Sequence, residues 1–528
     1  MKSKWISGDA GLAAAIDRWF EDPGQHEGEI LASSAYRRVV RLELEAAPSS
    51  IVIKEFFPNR ARRSASGRAI ASLRQLARRD PAEREWRALQ RLHAAGISIP
   101  KPLAYARRAG GGALIVTPFL EGVSTLDLAL DGYAFEKRRI MRSVGELIFS
   151  LHDKGFAHGD LHVGNILVGE KGPVLIDLQR VREADSESAA NRDIAFLDFS
   201  LYQLGVSRSN RLRFRIAATH LGHFRVANER ERLREIGRAS QVRAIDYYRG
   251  RTRRTRRVGD EFKAVTCGSR SGLRRAEFSE EALRAALAAH QSEVDTRGPQ
   301  LIKCDHRARV SAVRALGHEV VVKEVVKSSA RKRLADVFRG SAGRRAWVGG
   351  HGLQIRGIAA ATPLAYLETK RWGVPIASLV VLEDLSSTRC SADIKPGDPE
   401  AQHLAKQLLR LVTRLHSTGT LHADLQSMHI YLAKRGEETE LSLIGLEEVR
   451  FLGRLRDQQR IQMLSEVNAT FDDDLIGAGV RTRLFAQYVH NLPFDLGNER
   501  ARKEIVQRSL ARNQRWRGRD CDLSRNSR

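Results

Sequence analysis

Two stretches of this chain repeat each other without a gap. Residues 151–168 read LHDKGFAHGDLHVGNILV and residues 415–432 read LHSTGTLHADLQSMHIYL, so that Leu-His, Gly, His-x-Asp-Leu and a closing apolar run occupy the same offsets. At 528 residues the chain also exceeds the size at which one hydrophobic core keeps growing. An internal repeat of this kind predicts two copies of one fold in tandem.

Two further pairs of segments indicate the same duplication. The sixteen-residue step from Trp86 to Pro102 recurs between Trp347 and Pro363. VLIDLQRVR at residues 174–182 also corresponds to SLIGLEEVR at residues 442–450. The two halves are therefore expected to share a fold from which their sequences have diverged far.

The first copy begins with strand patterning and continues with helical patterning, and the second repeats this order. Residues 29–57 alternate apolar and polar side chains in short runs, as half-buried strands do, whereas residues 64–95 and 135–155 have helical spacing. The fold class we predict is α+β, with an antiparallel-sheet N-terminal lobe and a helical C-terminal lobe in each copy. The expected boundaries are a first domain at 1–225, a basic linker at 226–277, a second domain at 278–510 and a basic tail at 511–528.

The first twenty residues contain two lysines and an apolar run that is broken by Asp9, Gly11 and Asp17. This break argues against a secretory signal and predicts an amphipathic helix. No stretch approaches the roughly 18 apolar residues of a membrane-spanning helix, and the four cysteines lack any C-x-x-C spacing. We expect a cytoplasmic protein that is at most peripheral to a membrane.

The net charge of +26 predicts a polyanionic binding partner, such as nucleic acid, anionic lipid headgroups or phosphorylated glycans. Six arginines lie between Arg249 and Arg257. This segment is either a mobile linker or a patch for peripheral contact with an anionic membrane surface, because guanidinium groups pair bidentately with phosphate. A second basic segment, ARNQRWRGRD, contains Trp516, and such basic-aromatic mixtures suit a headgroup layer.

Three polar residues of the first repeat are spaced as in phosphotransferases. Asp160, Asn165 and Asp177 are separated by a predicted strand-turn-strand, so they can converge at one end of a hairpin. Asn165 and Asp177 offer the oxygen ligands that Mg²⁺ prefers, and Asp160 is then free to orient an acceptor hydroxyl and accept its proton. H-x-D-x-x-x-x-N followed by a later Asp is the arrangement of kinases. Each residue alone is more often a turn former or a cap.

The upstream parts of such a site are also present. Lys54 lies on the strand IVIKEFF, and a helix that carries Glu85 follows. In a kinase these residues are the lysine that binds the α and β phosphates of ATP and the carboxylate that anchors it. Glu83 is a competing anchor. We favour Glu85 because it precedes Trp86 in the block that the second half repeats.

The glycine-rich phosphate loop of kinases is missing. The hairpin before Lys54 reads ASSAYR, so any cover for the ATP phosphates must use the amides or hydroxyls of Ser33 and Ser34. Glu121, after the apolar strand ALIVTPFL, is a further candidate ATP contact. Gly159 replaces the arginine of H-R-D, and no A-P-E follows, which disfavours a protein kinase switched by activation-loop phosphorylation.

HGDLHVGNILV, LIDLQRVR and FLDFSLYQLGVSRSNRLRF together resemble the lipopolysaccharide core kinases, the family of heptose and 3-deoxy-octulosonic acid (Kdo) kinases with a protein-kinase-like fold. Members carry I-D-L/F-x-R where protein kinases have D-F-G, and this chain has that pattern from Ile176 to Arg180. The resemblance covers about residues 30–225 well and 296–495 more weakly. It implies ATP- and magnesium-dependent phosphorylation of a sugar hydroxyl in an envelope glycolipid at the inner membrane. It also suggests that Arg180 contacts acceptor or phosphate, with a surface salt bridge as the alternative.

The second repeat retains Lys323 and Asp424 at the lysine and first aspartate positions. Ala346 replaces the anchor glutamate, His429 the amide and Gly445 the second aspartate. Gly445 is the heavier loss because it has no side chain to hold the metal that bridges the phosphates, so we predict an inactive second copy that supports the first or binds the acceptor.

A carboxylate beyond Gly445 could in principle substitute for the missing ligand. Glu447 and Glu448 follow two and three residues later. In a strand-like run, however, Leu446 and Val449 are expected to set the buried face.

Two other functions remain open on the sequence. One is a serine/threonine or small-molecule kinase of the same fold, because the core motif is shared among these enzymes. The other is a non-catalytic pseudokinase scaffold that binds an anionic partner, which the missing glycine loop keeps open. Nucleic acid is not expected as the partner.

Overall fold

The computed structural model divides the chain into two compact units, Met1–Arg243 and Ala244–Arg528. It describes residues 3–21, 28–34, 36–44, 50–57, 80–108, 112–131, 134–184, 186–219, 229–325, 336–337, 339–385, 387–396, 398, 401–435, 438–471 and 473–511. The basic segment around Trp516, the tail at 512–528 and the N-terminal half of the helix expected from residue 64 lie outside these ranges.

The first unit is built on a six-stranded antiparallel sheet with the order β1-β5-β6-β4-β3-β2. Alternation along β3 and β4 buries Val40, Leu42, Ile51 and Ile53 on one face, where they pack against helix α1. The strands expected within residues 29–57 are thus present, and the half-buried pattern holds for β3 and β4, whereas β2 is exposed along its length. The strands are β1 (Ser3–Ser7), β2 (Glu29–Ser33), β3 (Arg37–Leu42), β4 (Ile51–Phe56), β5 (Ala104–Arg108) and β6 (Gly112–Pro118), and α1 spans Ala10–Glu21.

The amphipathic helix expected at the N-terminus begins later than predicted. Ser3–Ser7 form strand β1, which pairs antiparallel with β5, and the helix starts at Ala10. Asp9, taken from the sequence as an interruption of the apolar run, accepts a hydrogen bond from the Leu12 N–H (3.0 Å) at the start of the helix. Its side chain therefore satisfies an amide that has no partner within the helix.

The rest of the first unit is mainly helical, with one three-stranded and one two-stranded sheet of short strands. A buried core of apolar side chains joins its helices to the other face of the sheet. The remaining helices are α2 (Pro81–Ala94), α3 (Leu126–Ala129), α4 (Ala134–Asp153), α5 (Glu187–Gln203), α6 (Arg208–Thr219) and α7 (Glu229–Arg254), of which α7 continues into the second unit. The short strands are β7 (Ser124–Thr125), β8 (Phe156–Ala157), β9 (Ile166–Gly169), β10 (Gly172–Leu175) and β11 (Arg182–Glu183).

The second unit has a seven-stranded antiparallel sheet with the order β12-β13-β17-β18-β16-β15-β14, followed by a helical part. Its strands are β12 (Phe262–Cys267), β13 (Arg270–Arg275), β14 (Leu301–Cys304), β15 (Ala308–Ala315), β16 (His318–Val325), β17 (Pro363–Arg371), β18 (Val374–Glu383), β19 (Arg389–Cys390), β20 (Thr420–His422), β21 (Ile430–Arg435), β22 (Glu438–Leu443) and β23 (Val449–Phe451). Its helices are α8 (Glu280–Thr296), α9 (Ala342–Ile355), α10 (Ala401–Ser417), α11 (Asp457–Thr470), α12 (Ala478–Asn491) and α13 (Asn498–Leu510).

The structure corrects the expectation of a linker over residues 226–277. Residues 229–254 are helical, and β12 and β13 are part of the sheet of the second unit, where β13 pairs with β17. Phe262 and Leu273 of these strands are buried in its core. Basic composition suggested a solvated segment because the apolar residues that anchor it are few and widely spaced.

Candidate active site

The sheet and helix α2 of the first unit place a lysine against a glutamate. Lys54 extends from β4 and forms an ion pair with Glu85 of α2. Only 3% of Glu85 is exposed, and this burial raises its pKa despite the opposing charge of Lys54. Glu83, the competing anchor, pairs instead with the more exposed Arg87 (2.5 Å) and Arg107 (2.8 Å).

The start of α2 explains why Glu85 faces inward. Asp80 caps the helix by accepting a hydrogen bond from the Ala82 N–H (3.1 Å), and Pro81 occupies the first turn, where its missing N–H costs nothing. From this start, Ala82, Glu85 and Leu89 lie on one helical face, and all are buried. The cap therefore sets the rotation that brings Glu85 to Lys54.

Asp177 is the second acidic residue near Lys54. Its Oδ1 lies 3.8 Å from Lys54 Nζ, and its Oδ2 accepts a hydrogen bond from Arg37 Nη1 (3.1 Å). The backbone of Asp177 is left-handed (φ 59°), a conformation that Asp tolerates better than most residues. Burial alone would raise its pKa, but the charges of Lys54 and Arg37 together bring the pKa below its usual value.

The β9–β10 hairpin brings Asn165 next to Asp177, as its spacing predicted. Ile166 pairs with Leu175, and the Ile176 N–H donates to the Asn165 carbonyl oxygen (3.0 Å). The buried Asn165 side chain donates from Nδ2 to the Asp160 carbonyl oxygen (2.9 Å). This bond leaves its Oδ1 as the oxygen available to a cation.

These oxygens fit a magnesium site of the kind used with nucleotides. Asn165 Oδ1 and the ionised Asp177 carboxylate are hard oxygen donors, and Mg²⁺ commonly takes one or two protein oxygens and completes its shell with phosphates and water. Among the described residues no cluster of three or more His, Cys, Asp and Glu could hold a metal by itself. Two protein oxygens would leave the rest of a Mg²⁺ shell to phosphate and water oxygens.

Asp160 has the exposure that a proton acceptor requires. Its carboxylate is partly exposed (35%) and lies 3.7 Å from Nε of Arg180, which is itself 67% exposed. Within the described part of the chain, the Asp160 side chain accepts no hydrogen bond. The structure thus leaves this carboxylate open to an acceptor hydroxyl, and it places the Arg180 side chain beside it.

Asp193 is a site residue that the sequence interpretation missed. It lies in α5, is 2% exposed, and accepts hydrogen bonds from the backbone N–H groups of His158 and Gly159 (2.9 Å for Gly159). Burial would raise its pKa, but hydrogen bonds and charge from His152 and the loop bring the pKa below its usual value. The one available signal was a carboxylate inside the apolar run RDIAFLDF of a helix.

The other residues expected to contact ATP, Ser33, Ser34 and Glu121, lie at the surface. Ser34 Oγ accepts the Arg37 N–H (3.1 Å) and so closes the β2–β3 turn, while Ser33 is exposed on β2. Glu121 pairs with Arg41 (3.1 Å) and is largely exposed. Among the described residues of this hairpin, Arg37 is the one whose side chain reaches Asp177. The sequence interpretation also missed Arg37, because it sought a glycine loop.

In the second unit a different carboxylate pairs with the lysine. Lys323 of β16 forms an ion pair with Glu447, while Ala346, at the position of Glu85, is buried in α9. Leu446 and Val449 are both buried, as expected from the sequence. Residues 446–448 form a 3₁₀ turn rather than a strand, and from this turn the Glu447 side chain, 19% exposed, reaches Lys323.

The second unit keeps the backbone of the site without its second aspartate. The Ile444 N–H donates to the His429 carbonyl oxygen (3.0 Å), as Ile176 does to Asn165, and Gly445 is left-handed (φ 70°) like Asp177. His429 Nδ1 lies 2.8 Å from the Asp424 carbonyl oxygen, so this histidine occupies the position of the amide.

The sequence model of the lipopolysaccharide kinase (Kdo/WaaP) family matches residues 24–217 and 307–470, together more than half of the chain. The chain belongs to this family. The resemblance and the α+β, kinase-like fold class predicted from the sequence are therefore confirmed, and two matched segments agree with a tandem arrangement.

Curated members of the lipopolysaccharide kinase family match parts of the chain. It is 30% identical over 155 residues to the lipopolysaccharide core heptose(I) kinase WaaP of Pseudomonas aeruginosa, which covers 25% of this chain and 57% of that protein. It is 34% identical over 100 residues to the 3-deoxy-D-manno-octulosonic acid kinase of Xylella fastidiosa, which covers 18% of this chain and 39% of that protein. The chain thus spans about half the length of these relatives.

A solved structure, WaaP in complex with acyl carrier protein, is 21% identical and aligns with a TM-score of 0.34 over 45% of this chain and 98% of that one. In the present chain, no helix among the described residues has the length and apolar character needed to span a bilayer.

Proposed function

We propose that the first unit transfers the γ-phosphate of ATP to a sugar hydroxyl of lipopolysaccharide core or a similar envelope glycolipid. The observation that carries this proposal is the position of Lys54 between Glu85 and Asp177, with Asn165 at the same end of the hairpin. Family membership supports the acceptor class. The acceptor places the reaction at the cytoplasmic face of the inner membrane, where the basic surface of the protein would be attracted to anionic lipid.

Three of the residues would bind ATP and its metal, a fourth would position the lysine, and a fifth would accept the proton. Lys54 binds the α and β phosphates, and Glu85 holds the lysine in place. Asp160 orients the acceptor hydroxyl and accepts its proton as the oxygen bonds to the γ-phosphorus and the bond to the leaving ADP oxygen breaks. Asn165 and Asp177 would hold Mg²⁺, which when bound neutralises charge on the phosphates.

The second unit is proposed to be non-catalytic. Its turn at Gly445 has the backbone conformation of Asp177 but no carboxylate, and Glu447, the nearest replacement, already pairs with Lys323. Glu447 thus pairs with its lysine as Glu85 does in the first unit, rather than standing in for Asp177. We therefore assign this unit to support of the first or to binding of the acceptor.

A transfer assay with envelope glycolipid tests the function. Purified protein, Mg²⁺ and γ-labelled ATP are incubated with extracted glycolipid that has been treated with phosphatase to free its hydroxyls, and a chelator provides the metal-free control. We expect label in the glycolipid, less in untreated extract, and none with chelator. Label in protein serine alone would favour the protein kinase of the same fold. Absence of label, together with no stabilisation by Mg-ATP in thermal melts, would favour the non-catalytic scaffold.

Arg37 is proposed to perform part of the role of the missing glycine loop by contacting an ATP phosphate. Arg37→Gln is expected to raise the KM for ATP about tenfold, the effect of losing one charge-assisted hydrogen bond, with kcat changed less. The matched control is Arg38→Gln on the same strand, since Arg38 points to Glu55 (2.7 Å) rather than Asp177. Equal KM values for the two variants would contradict the role of Arg37.

A further inference from the structure

Arginines surround a cavity of about 560 Å³ that lies wholly within the second unit. The C-terminal part of α7, helix α9 with the residues just before it, and strand β23 form its walls. Eight of the seventeen described residues that line it are arginines, and none is Asp or Glu. A solvated basic surface would normally intersperse carboxylates among its cations, so this composition needs a separate explanation.

Most of these arginines have no carboxylate to balance them. Arg249 lies 3.6 Å from Asp246, and Arg345 pairs with Asp336 (2.7 Å). In the part of the chain that the structure describes, no ion pair is formed by the other arginines at the rim and walls, which are Arg253, Arg256, Arg339, Arg344 and Arg450. Like charges at such proximity repel one another, and an anion between them would remove that repulsion.

The pKa of Arg256 reflects this concentration of charge. Partial desolvation of its guanidinium lowers the pKa, and the charges of Arg344 and Arg253 lower it further. These three side chains come from α7, the turn after it and α9, so the tertiary fold brings them to one cavity. A bound anion would stabilise the charged guanidinium and so raise this pKa.

Arg356 is a buried cation at the same cavity. It is 3% exposed and packs between the rings of Tyr248 and Phe451, with its guanidinium carbon 3.8 Å from the Phe451 ring centroid. Its Nη1 donates to Thr252 Oγ1 (3.0 Å) and to the Gly352 carbonyl oxygen (2.8 Å), and burial lowers its pKa to about 10.

The Nε of Arg356 is buried without a hydrogen-bond partner in the described structure. A guanidinium that is removed from water and has no carboxylate beside it is costly, and such groups are normally paired with a counter-ion. Arg356 therefore adds a buried positive charge to the lining of the cavity, which a bound anion would balance.

A neighbouring cavity provides an internal comparison. It is lined by Arg251, Arg254 and Arg257 from the same stretch of chain, but also by the acidic residues Asp260, Glu261 and Glu277. There the protein supplies its own negative charge. The contrast shows that basic composition alone does not produce a cavity without acidic groups.

We propose that this arginine cavity binds a ligand that carries two or more phosphate groups, either a soluble diphosphate or phosphorylated lipid headgroups. Arginine is suited to the task because its planar fork donates two parallel hydrogen bonds to phosphate oxygens. The volume exceeds that of one phosphate and lies within the range of ligand pockets, roughly 300–1,000 Å³. The proposal does not depend on which unit is catalytic.

The test compares two double variants of the full chain that remove the same charge from the same stretch. Arg253→Gln with Arg256→Gln alters the arginine cavity, and Arg251→Gln with Arg254→Gln alters the neighbouring one. Calorimetric titration with pyrophosphate, in chloride buffer without Mg²⁺, should show at least about tenfold weaker binding for the first pair, the loss of one or more charge-assisted bonds. The second pair should stay within about threefold of the unaltered protein, the scale of a screened surface charge.

Vesicle binding distinguishes the source of the phosphate. Phosphatidylcholine vesicles with and without phosphatidic acid are sedimented with each protein. A lipid headgroup is identified if pyrophosphate binds poorly and the protein sediments only with vesicles that contain phosphatidic acid. In that case the Arg253→Gln, Arg256→Gln variant alone should sediment less. Tight pyrophosphate binding without such retention identifies a soluble ligand.

Three results would overturn the proposal. The first is an equal loss of binding in both double variants, which would indicate a general cationic surface. The second is no binding of either pyrophosphate or phosphatidic acid vesicles. The third is tighter binding of an oligonucleotide than of pyrophosphate at equal phosphate concentration. Circular dichroism and thermal melts check that both pairs fold, which is expected because Arg251, Arg253, Arg254 and Arg256 are all exposed.

Discussion

Asp177→Asn is expected to lower phosphate transfer by at least about a thousandfold, whereas Asp424→Ala leaves it within about twofold of the unaltered protein. The carboxylate of Asp177 would hold the metal that neutralises the phosphates, and a loss of several kcal/mol corresponds to several powers of ten at about 1.4 kcal/mol per tenfold. Asp424 belongs to the unit that lacks the second aspartate. Initial rates with labelled ATP and envelope glycolipid measure both effects.

The same pair of variants can contradict the assignment of the working unit. Activity that survives Asp177→Asn and is lost with Asp424→Ala would make the second unit the catalyst, with Glu447 as its metal ligand. Asp177→Asn is a suitable change because Asn also tolerates the left-handed backbone at this position (φ 59°). Thermal melts with and without Mg-ATP then separate loss of metal binding from loss of fold.

Glu85→Gln is expected to lower kcat/KM by about a hundredfold, which corresponds to about 2.7 kcal/mol of transition-state stabilisation. Without the carboxylate, Lys54 loses its charged partner and is drawn towards Asp177, whose Oδ1 lies 3.8 Å away. The free energy of unfolding should fall less than the activity does, because the buried carboxylate is itself desolvated, as its raised pKa indicates, and an amide avoids that cost. Steady-state kinetics and urea unfolding measure the two quantities.

Glu83→Gln is the matched control, two positions earlier on the same helix. Glu83 pairs with Arg87 and Arg107, both about half exposed, so its loss should change kcat/KM by less than about twofold and stability by no more than about 1 kcal/mol. If the two variants were equally impaired, the helix as a whole rather than the Lys54–Glu85 pair would be responsible.

The hairpin part of the site was predictable because its residues are close along the chain. Asn165 and Asp177 flank two short strands, and once these pair in register, no choice of packing can separate their ends. Glu85 required an argument from the repeat, since Glu83 lies on the same helix and only the rotation of α2 distinguishes the two. Asp193 could not be assigned in advance, because its role is to bind the loop of His158 from a different helix.

The amino-acid sequence alone determined the duplication, the antiparallel N-terminal sheet and the family, because these depend on periodicity and on motifs of short span. Only the tertiary structure decided which charged groups meet. Arg37 reaches Asp177 across 140 residues and Lys323 reaches Glu447 across 124, and the arginine cavity collects side chains from α7, α9 and β23. Such contacts depend on how strands and helices pack. In a chain with 89 lysines and arginines, composition cannot say which of them lack a counter-charge.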